Sequence, residues 1–94
     1  MGIEFEWDGR KANLNRRKHG VSFDEATTVF SDPLSATIPD PLHSDLDDER
    51  LVTMGLSAQG NLLVVIHLDS NDTIRIISAR RATRSERRNY EKTI

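Results

Sequence analysis

Cysteine is absent from the 94 residues, which rules out disulfides, thiolate zinc sites and thiol nucleophiles and fits a reducing, cytoplasmic setting. No apolar run approaches the ~18–20 residues that cross a bilayer. The opening MGIEFEWDGR contains no apolar signal region, and Glu6 stands where an acylation signal at Met1-Gly2 would need Ser or Thr. No membrane partner is therefore expected. A phosphate-cradling glycine loop, a GxSxG elbow and a dinucleotide fingerprint are also missing. The acidic stretch Asp45-Leu46-Asp47-Asp48-Glu49 lacks the glycine of an EF-hand loop, and His19, His43 and His67 lie in separate segments. Neither a metal nor a nucleotide cofactor is expected. With no repeat, linker or low-complexity stretch, residues 1–94 read as one small domain with a modest core.

The charge that is present is segregated. The formal net charge is only −2, yet twelve of the thirteen basic residues fall in 10–18 and 75–92. Residues 32–49 carry six acids and no Lys or Arg. This patterning fits a chain with a cationic side and an anionic side, or two solvated helices and an acidic loop. Ten of the thirteen are arginine, whose planar fork matches phosphate better than an ammonium does.

Ile3, Phe5 and Trp7 alternate with Glu4 and Glu6, the period of a short half-buried strand. Asp8 caps a helix through Lys18 or His19, with Ala12 and Leu14 facing in and Gly20 as its C-terminal glycine. Ser22-Phe23-Asp24-Glu25 reads as a capping box opening a second helix that ends near Asp32-Pro33. Residues 33–49, with every proline, read as irregular or edge chain, Ala36-Thr37-Ile38 being a candidate short strand. Strands over 51–56, 62–68 and 73–81, joined at Ser57-Ala58-Gln59-Gly60-Asn61 and Asp69-Ser70-Asn71-Asp72, form an antiparallel meander. Thr83-Arg84-Ser85-Glu86 opens a last helix through Tyr90. The expected class is α+β, a two-layer domain.

Without metal, thiol or nucleotide chemistry, the candidate groups are arginine, histidine, glutamate and one tyrosine. That set suffices to cut RNA, because the substrate carries its own nucleophile in the 2′-hydroxyl. The protein must take that proton, stabilise the charged phosphorane and protonate the leaving 5′-oxygen. Strict alternation over 73–81 places Ile74, Ile76, Ser78 and Arg80 on one face and Arg75, Ile77, Ala79 and Arg81 on the other. Arginines on so apolar a strand need a bound anion or a carboxylate partner such as Glu49. His19, at a helix C-terminus where the dipole favours a cation, is a candidate acid or a plain helix terminator. His67 reads as packed or partner-facing, and Tyr90 as a candidate acid or a packing residue.

Taken together, Phe5-Glu6-Trp7-Asp8, Lys11, Asn15, Lys18-His19-Gly20-Val21-Ser22-Phe23, Glu25-Ala26 and Val29-Phe30 resemble the first half of BrnT-type toxins. Glu49-Arg50, Gly55, Arg75-Ile76-Ile77-Ser78-Ala79-Arg80-Arg81-Ala82-Thr83 and Glu86-Arg87 to Tyr90 resemble the second half. Residues 34–48 follow no anchored pattern. The resemblance implies a RelE-like fold, with helices packed on a curved antiparallel sheet. It further implies metal-independent RNA cleavage that arrests translation. The implied partner is a BrnA-type antitoxin with a ribbon-helix-helix DNA-binding region, so that DNA is met only through the complex.

On that reading Lys18, Arg75, Arg81, Arg84 and Arg87 hold RNA phosphates, and Arg50 or Arg80 stabilises the phosphorane. Glu49 or His19 is the base, and His19 or Tyr90 the acid. A non-catalytic RNA- or protein-binding module using the same basic face is the competing reading, and a structural adaptor docking an acidic partner is a second.

Overall fold

The computed structural model describes residues 2–45 and 48–92, with the side chains of 42–49 outside the description. Strand β1 (Glu4–Glu6) leads to helix α1 (Gly9–His19) and helix α2 (Phe23–Thr27), which tightens into a 3₁₀ turn over Thr28–Ser31. Strands β2 (Ala36–Asp45), β3 (Asp48–Leu56), β4 (Leu62–Ser70) and β5 (Thr73–Arg81) follow, then helix α3 (Arg84–Glu91). One five-stranded sheet has the order β1-β5-β4-β3-β2. Strands β2 to β5 form the antiparallel meander, whereas β1 adds to β5 in parallel, Phe5 standing level with Ile74.

The segment after Pro33, expected to be irregular or edge chain with a short strand over Ala36-Thr37-Ile38, is an edge strand that runs further. Strand β2 runs from Ala36 to Asp45, with a register break between Pro39 and Ser44. It lies at the sheet edge, where Pro39 and Pro41 can lack an N–H without breaking a ladder.

The helix ends explain why the chain turns where it does. The Asp8 carboxylate accepts the Arg10 and Lys11 N–H groups, and Gly20 closes α1 at φ 70°, donating its own N–H to the Arg16 carbonyl. Ser22 Oγ accepts the Glu25 N–H at 3.0 Å, but the expected return bond does not form. The Glu25 carboxylate instead accepts from Ser57 Oγ at 2.7 Å and Asn61 Nδ2 at 2.8 Å, tying α2 to the β3–β4 turn. At α3 both halves of the capping box are present.

Val21, Phe23, Ala26 and Val29 bury themselves against Leu63, Val65, Ile74, Ile76 and Ala79 on one face of the sheet. Trp7 meets Phe23 edge-on at 5.9 Å, and Phe30 meets Phe5 at 5.5 Å. A polar group within this layer is His67, only 1% exposed and edge-on to Phe30. Its Nδ1 contacts Asp69 at 2.6 Å and its Nε2 contacts Thr53 Oγ1 at 2.7 Å; Thr53 in turn meets Thr37 at 2.6 Å. A carboxylate only accepts, so Nδ1 donates to Asp69, and Nε2 shares a hydrogen bond with Thr53. A satisfied hydrogen-bond chain thus crosses three strands, the packed role expected for His67.

Candidate active site

A bulge in β5 decides which side chains share a face. Ile66 is level with Ser78 but His67 with Ile76, so Ile77 has no partner residue on β4. The extra residue reverses the alternation. Ile74, Ile76, Ala79 and Arg81 face the α1–α2 layer, while Arg75, Ser78 and Arg80 share the second face. This corrects the strict alternation read from sequence, which grouped Arg80 with Ile74 and Ile76, and Arg75 with Arg81.

The bulge lies beside the end of α1. Parallel pairing of β1 with β5 stops at Arg75, so α1, rather than another strand, flanks the rest of the β5 edge. Asn15 fastens this junction: buried to 7% exposure, it donates from Nδ2 to the carbonyls of Val21 at 3.0 Å and Ala79 at 2.8 Å. Its Oδ1 accepts the Ala79 N–H at 3.1 Å. Above it opens a cleft of about 200 Å³ lined by Lys11, Leu14, Asn15, Lys18, His19, Ile77 and Ser78. His19 is half-buried there and Lys18 is exposed.

Arg80 stands two residues beyond Ser78 on the same face, about 7 Å along the strand. Its Nη1 and Nη2 donate to the two Glu86 oxygens at 2.8 and 3.0 Å, and Nη1 also reaches the Arg81 carbonyl at 3.3 Å. The Arg80 bond, outweighing the cost of burial, holds the Glu86 carboxyl down at about 2, and the same bond raises the Arg80 guanidinium further above its usual value. This contact puts α3 over the second face, where Glu86 and Asn89 with Ala36, Ile38, Val52, Met54 and Val64 line an apolar groove of about 260 Å³.

The other residues named from sequence lie elsewhere. Arg75 sits at the far end of β5 and pairs with Glu6 at 2.7 Å. Arg81, on the opposite face, donates to Asn61 Oδ1 at 2.9 Å. Arg84 and Arg87 are exposed on α3. Half-buried Arg50 shares the second face with Val52 and Met54, near the Arg75 end, because Leu51 is level with His67 and His67 with Ile76. The Glu49 side chain lies outside the described residues. Along the backbone, Glu49 is five residues from Met54, which is level with Arg80 across Val64. That is roughly 16 Å of strand between the two backbone positions.

Tyr90 is buried, and its hydroxyl donates to Asp32 Oδ2 at 2.7 Å. That bond, reinforced by burial, pushes the phenol up to about 12. Asp32 also accepts the N–H groups of Leu34 and Leu56; burial opposes its ionisation, but these bonds and the one from Tyr90 hold it below the usual carboxylate range. Asp32, Asn15 and Glu86 were not identified as partners in the sequence. The signal for Asn15 is its position three residues after Ala12 on the helix's inward face, where an amide must find backbone partners. Partners from distant segments leave no comparable signal.

Among the described residues no group of three or more His, Cys, Asp or Glu side chains could hold a metal ion. No helix among the described residues is long and apolar enough to cross a membrane.

Comparison with known proteins agrees with this architecture. A crystal structure of the Brucella abortus ribonuclease toxin BrnT superposes with a TM-score of 0.67 at 24% identity, covering 87% of this chain and 99% of that one. This likeness shows the shared fold. A comparison with curated proteins finds no match. The profile of the family described as "Ribonuclease toxin, BrnT, of type II toxin-antitoxin system" matches residues 7–86. The chain belongs to the BrnT family of type II ribonuclease toxins.

Proposed function

We propose that this protein cleaves RNA without a metal at the α1–β5 cleft and is silenced by a BrnA-type antitoxin whose ribbon-helix-helix region carries the complex to DNA. Family membership supports RNA as substrate and a protein antitoxin as partner. The observation that carries the site is the convergence of His19, Lys18 and Lys11 on one cleft beside Ser78, with Arg80 the next residue on that strand face.

His19 takes the proton of the 2′-hydroxyl as the 2′-oxygen bonds to phosphorus. Arg80 stabilises the charge gathering on the phosphorane, and Lys18 gives a proton to the 5′-oxygen as its bond to phosphorus breaks. The products are a 2′,3′-cyclic phosphate and a 5′-hydroxyl. Lys11 and the exposed Arg84 and Arg87 hold flanking phosphates. Tyr90, committed to Asp32, serves as a tether for α3 and not as the acid. Glu49, Arg50, Arg75 and Arg81 lie outside this centre.

The test is incubation of the antitoxin-free protein with RNA in excess EDTA, beside His19→Ala and Lys18→Ala. Cyclic-phosphate ends with wild type and none with His19→Ala are expected; cleavage lost in EDTA, or unchanged in His19→Ala, removes the proposal. The binding-only reading draws on one observation, that Arg75 and Arg80 are both paired with carboxylates. It predicts salt-sensitive RNA retention with no new ends.

A further inference from the structure

Arg80 has two hydrogen-bonding edges, and the structure uses one of them. Its terminal edge, Nη1 and Nη2, is closed on Glu86, with the second Nη1 hydrogen directed at the Arg81 carbonyl. The lateral edge, Nε–H with the remaining Nη2–H, has no partner among the described residues. A guanidinium edge of this kind matches two oxygens of a phosphate.

The carboxylate that closes the terminal edge is itself fixed. Glu86 Oε1 accepts the Thr83 N–H at 2.8 Å, and the Glu86 N–H donates to Thr83 Oγ1 at 3.1 Å. Glu86 thus stands at the start of α3 with its torsions held by the capping box, and α3 is tied down again at its far end through Tyr90 and Asp32. A long side chain that is 38% exposed would otherwise sample several rotamers.

We infer that Glu86 is a positioning residue: it clamps the terminal edge of Arg80 so that the lateral edge is presented to the scissile phosphate. The inference rests on the placement of Arg80 in the catalytic centre proposed above. It assigns Glu86 a part in the reaction beyond capping α3. It also explains how an ion-paired arginine serves catalysis, since the pair consumes one edge and orients the other. Removal of the clamp leaves the positive charge in place and frees its direction. Rate therefore falls while affinity for RNA does not.

Glu86→Gln makes the test specific, because glutamine also serves at this capping position and keeps α3. In the full chain, RNA cleavage in a translating extract and binding of a non-cleavable 2′-O-methyl RNA are measured for wild type, Glu86→Gln, Arg80→Ala and the double variant. The expected result is a rate loss of about 10²-fold in Glu86→Gln, with its Kd within about twofold of wild type on the same scale of error. The double variant is then no slower than Arg80→Ala. A structure-independent check is the Arg80 Nε–H resonance, which shifts with the 2′-O-methyl RNA in wild type and loses that shift in Glu86→Gln.

Arg80→Ala cleaving at the wild-type rate removes Arg80 from the site and the inference with it. Arg80→Ala inactive with Glu86→Gln fully active overturns the positioning role alone. A Kd tightened in Glu86→Gln with rate undiminished also overturns it, since Glu86 then only neutralises Arg80. If Glu86→Gln loses α3 by circular dichroism, the Nε–H resonance of wild type decides: no shift with RNA overturns the proposal, and a shift supports it.

Discussion

Asn15 and Ala79, 64 residues apart, exchange two hydrogen bonds at the α1–β5 junction: Asn15 Nδ2 donates to the Ala79 carbonyl and Asn15 Oδ1 accepts the Ala79 N–H. The amide also holds the Val21 carbonyl after the turn at Gly20, so one side chain fixes a helix end, a strand edge and the floor of the cleft.

Asn15→Ala leaves these backbone groups without partners in a buried place. The cost is about 1–3 kcal/mol, read as a lower urea midpoint with an unchanged slope. Asn15→Asp is also destabilised, because a carboxylate cannot donate to the Val21 and Ala79 carbonyls. Both variants lose RNA cleavage at temperatures where they remain folded, since the junction carries His19 and Ser78. Wild-type stability in Asn15→Ala would show that the junction holds without the amide.

Much of this frame is legible in the sequence, and the reason is local. Asp8, Gly20 and the Thr83–Glu86 pair act within one helical turn, so the ends of α1 and α3 follow from their own residues. The turns after β3 and β4 are similarly local. What escapes is set by distant partners. The bulge at Ile77 depends on how β5 registers against β4, and a one-residue change moves Arg75 and Arg80 to different company. Glu25 has the spacing of a capping residue but is drawn off by Ser57 and Asn61. Of the residues proposed for the site, His19 and Lys18 come together because they are neighbours on one helix; the parting of Arg80 from Glu49 required the sheet.

The Tyr90–Asp32 bond makes part of the stability depend on alkaline pH. The Tyr90 pKa is raised from 10.0 to about 12 in the fold. A raised value means that the folded protein holds the proton more tightly, so this contribution is complete below pH 10 and is lost as pH rises through about 12. The melting temperature of wild type should exceed that of Tyr90→Phe at pH 8, with the gap closing between pH 10 and 12. Tyr90→Phe should cleave RNA within about threefold of wild type at pH 8, a change under 1 kcal/mol; loss of about 10²-fold or more, the scale of a removed general acid, would return Tyr90 to the catalytic centre.

Gly55 is required for space. A Cβ there would lie 2.9 Å from Ser35 Cβ, 3.1 Å from the Val29 carbonyl oxygen and 3.3 Å from Val29 Cβ. The 3₁₀ turn crosses β3 at this point, so the added carbon meets backbone that cannot swing away. Gly55→Ala should cost about 1–3 kcal/mol, a fall of about 4–8 °C in melting temperature per kcal/mol for a domain this size. Adding Ser35→Gly removes the nearest clash and should recover part of the loss. A Gly55→Ala protein melting with wild type would mean that the turn yields.

Two arginines that the bulge brings to one face of β5 should behave differently because they stand at opposite ends of the strand. Arg75 and Arg80 both pair with a carboxylate, but Arg75 lies at the β1 end, 41% exposed, and its partner Glu6 is 52% exposed. An ion pair so open to water contributes about 0–1 kcal/mol, so Arg75→Ala and Glu6→Ala should each leave the melting temperature nearly unchanged. Both residues lie at the β1 end, away from His19 and Ser78, so cleavage by Arg75→Ala should stay within about threefold of wild type, again under 1 kcal/mol. Arg80→Ala should lose about 10²–10³-fold, the scale of removing one group that stabilises transition-state charge. Glu6→Ala, which deletes a negative charge from the same face, should bind RNA no more weakly than wild type at low salt. Equal losses at Arg75 and Arg80 would place the reacting phosphate over the whole length of β5 and contradict a centre confined to the His19 end; loss at Arg75 alone would move it to Arg50 and the β1 edge.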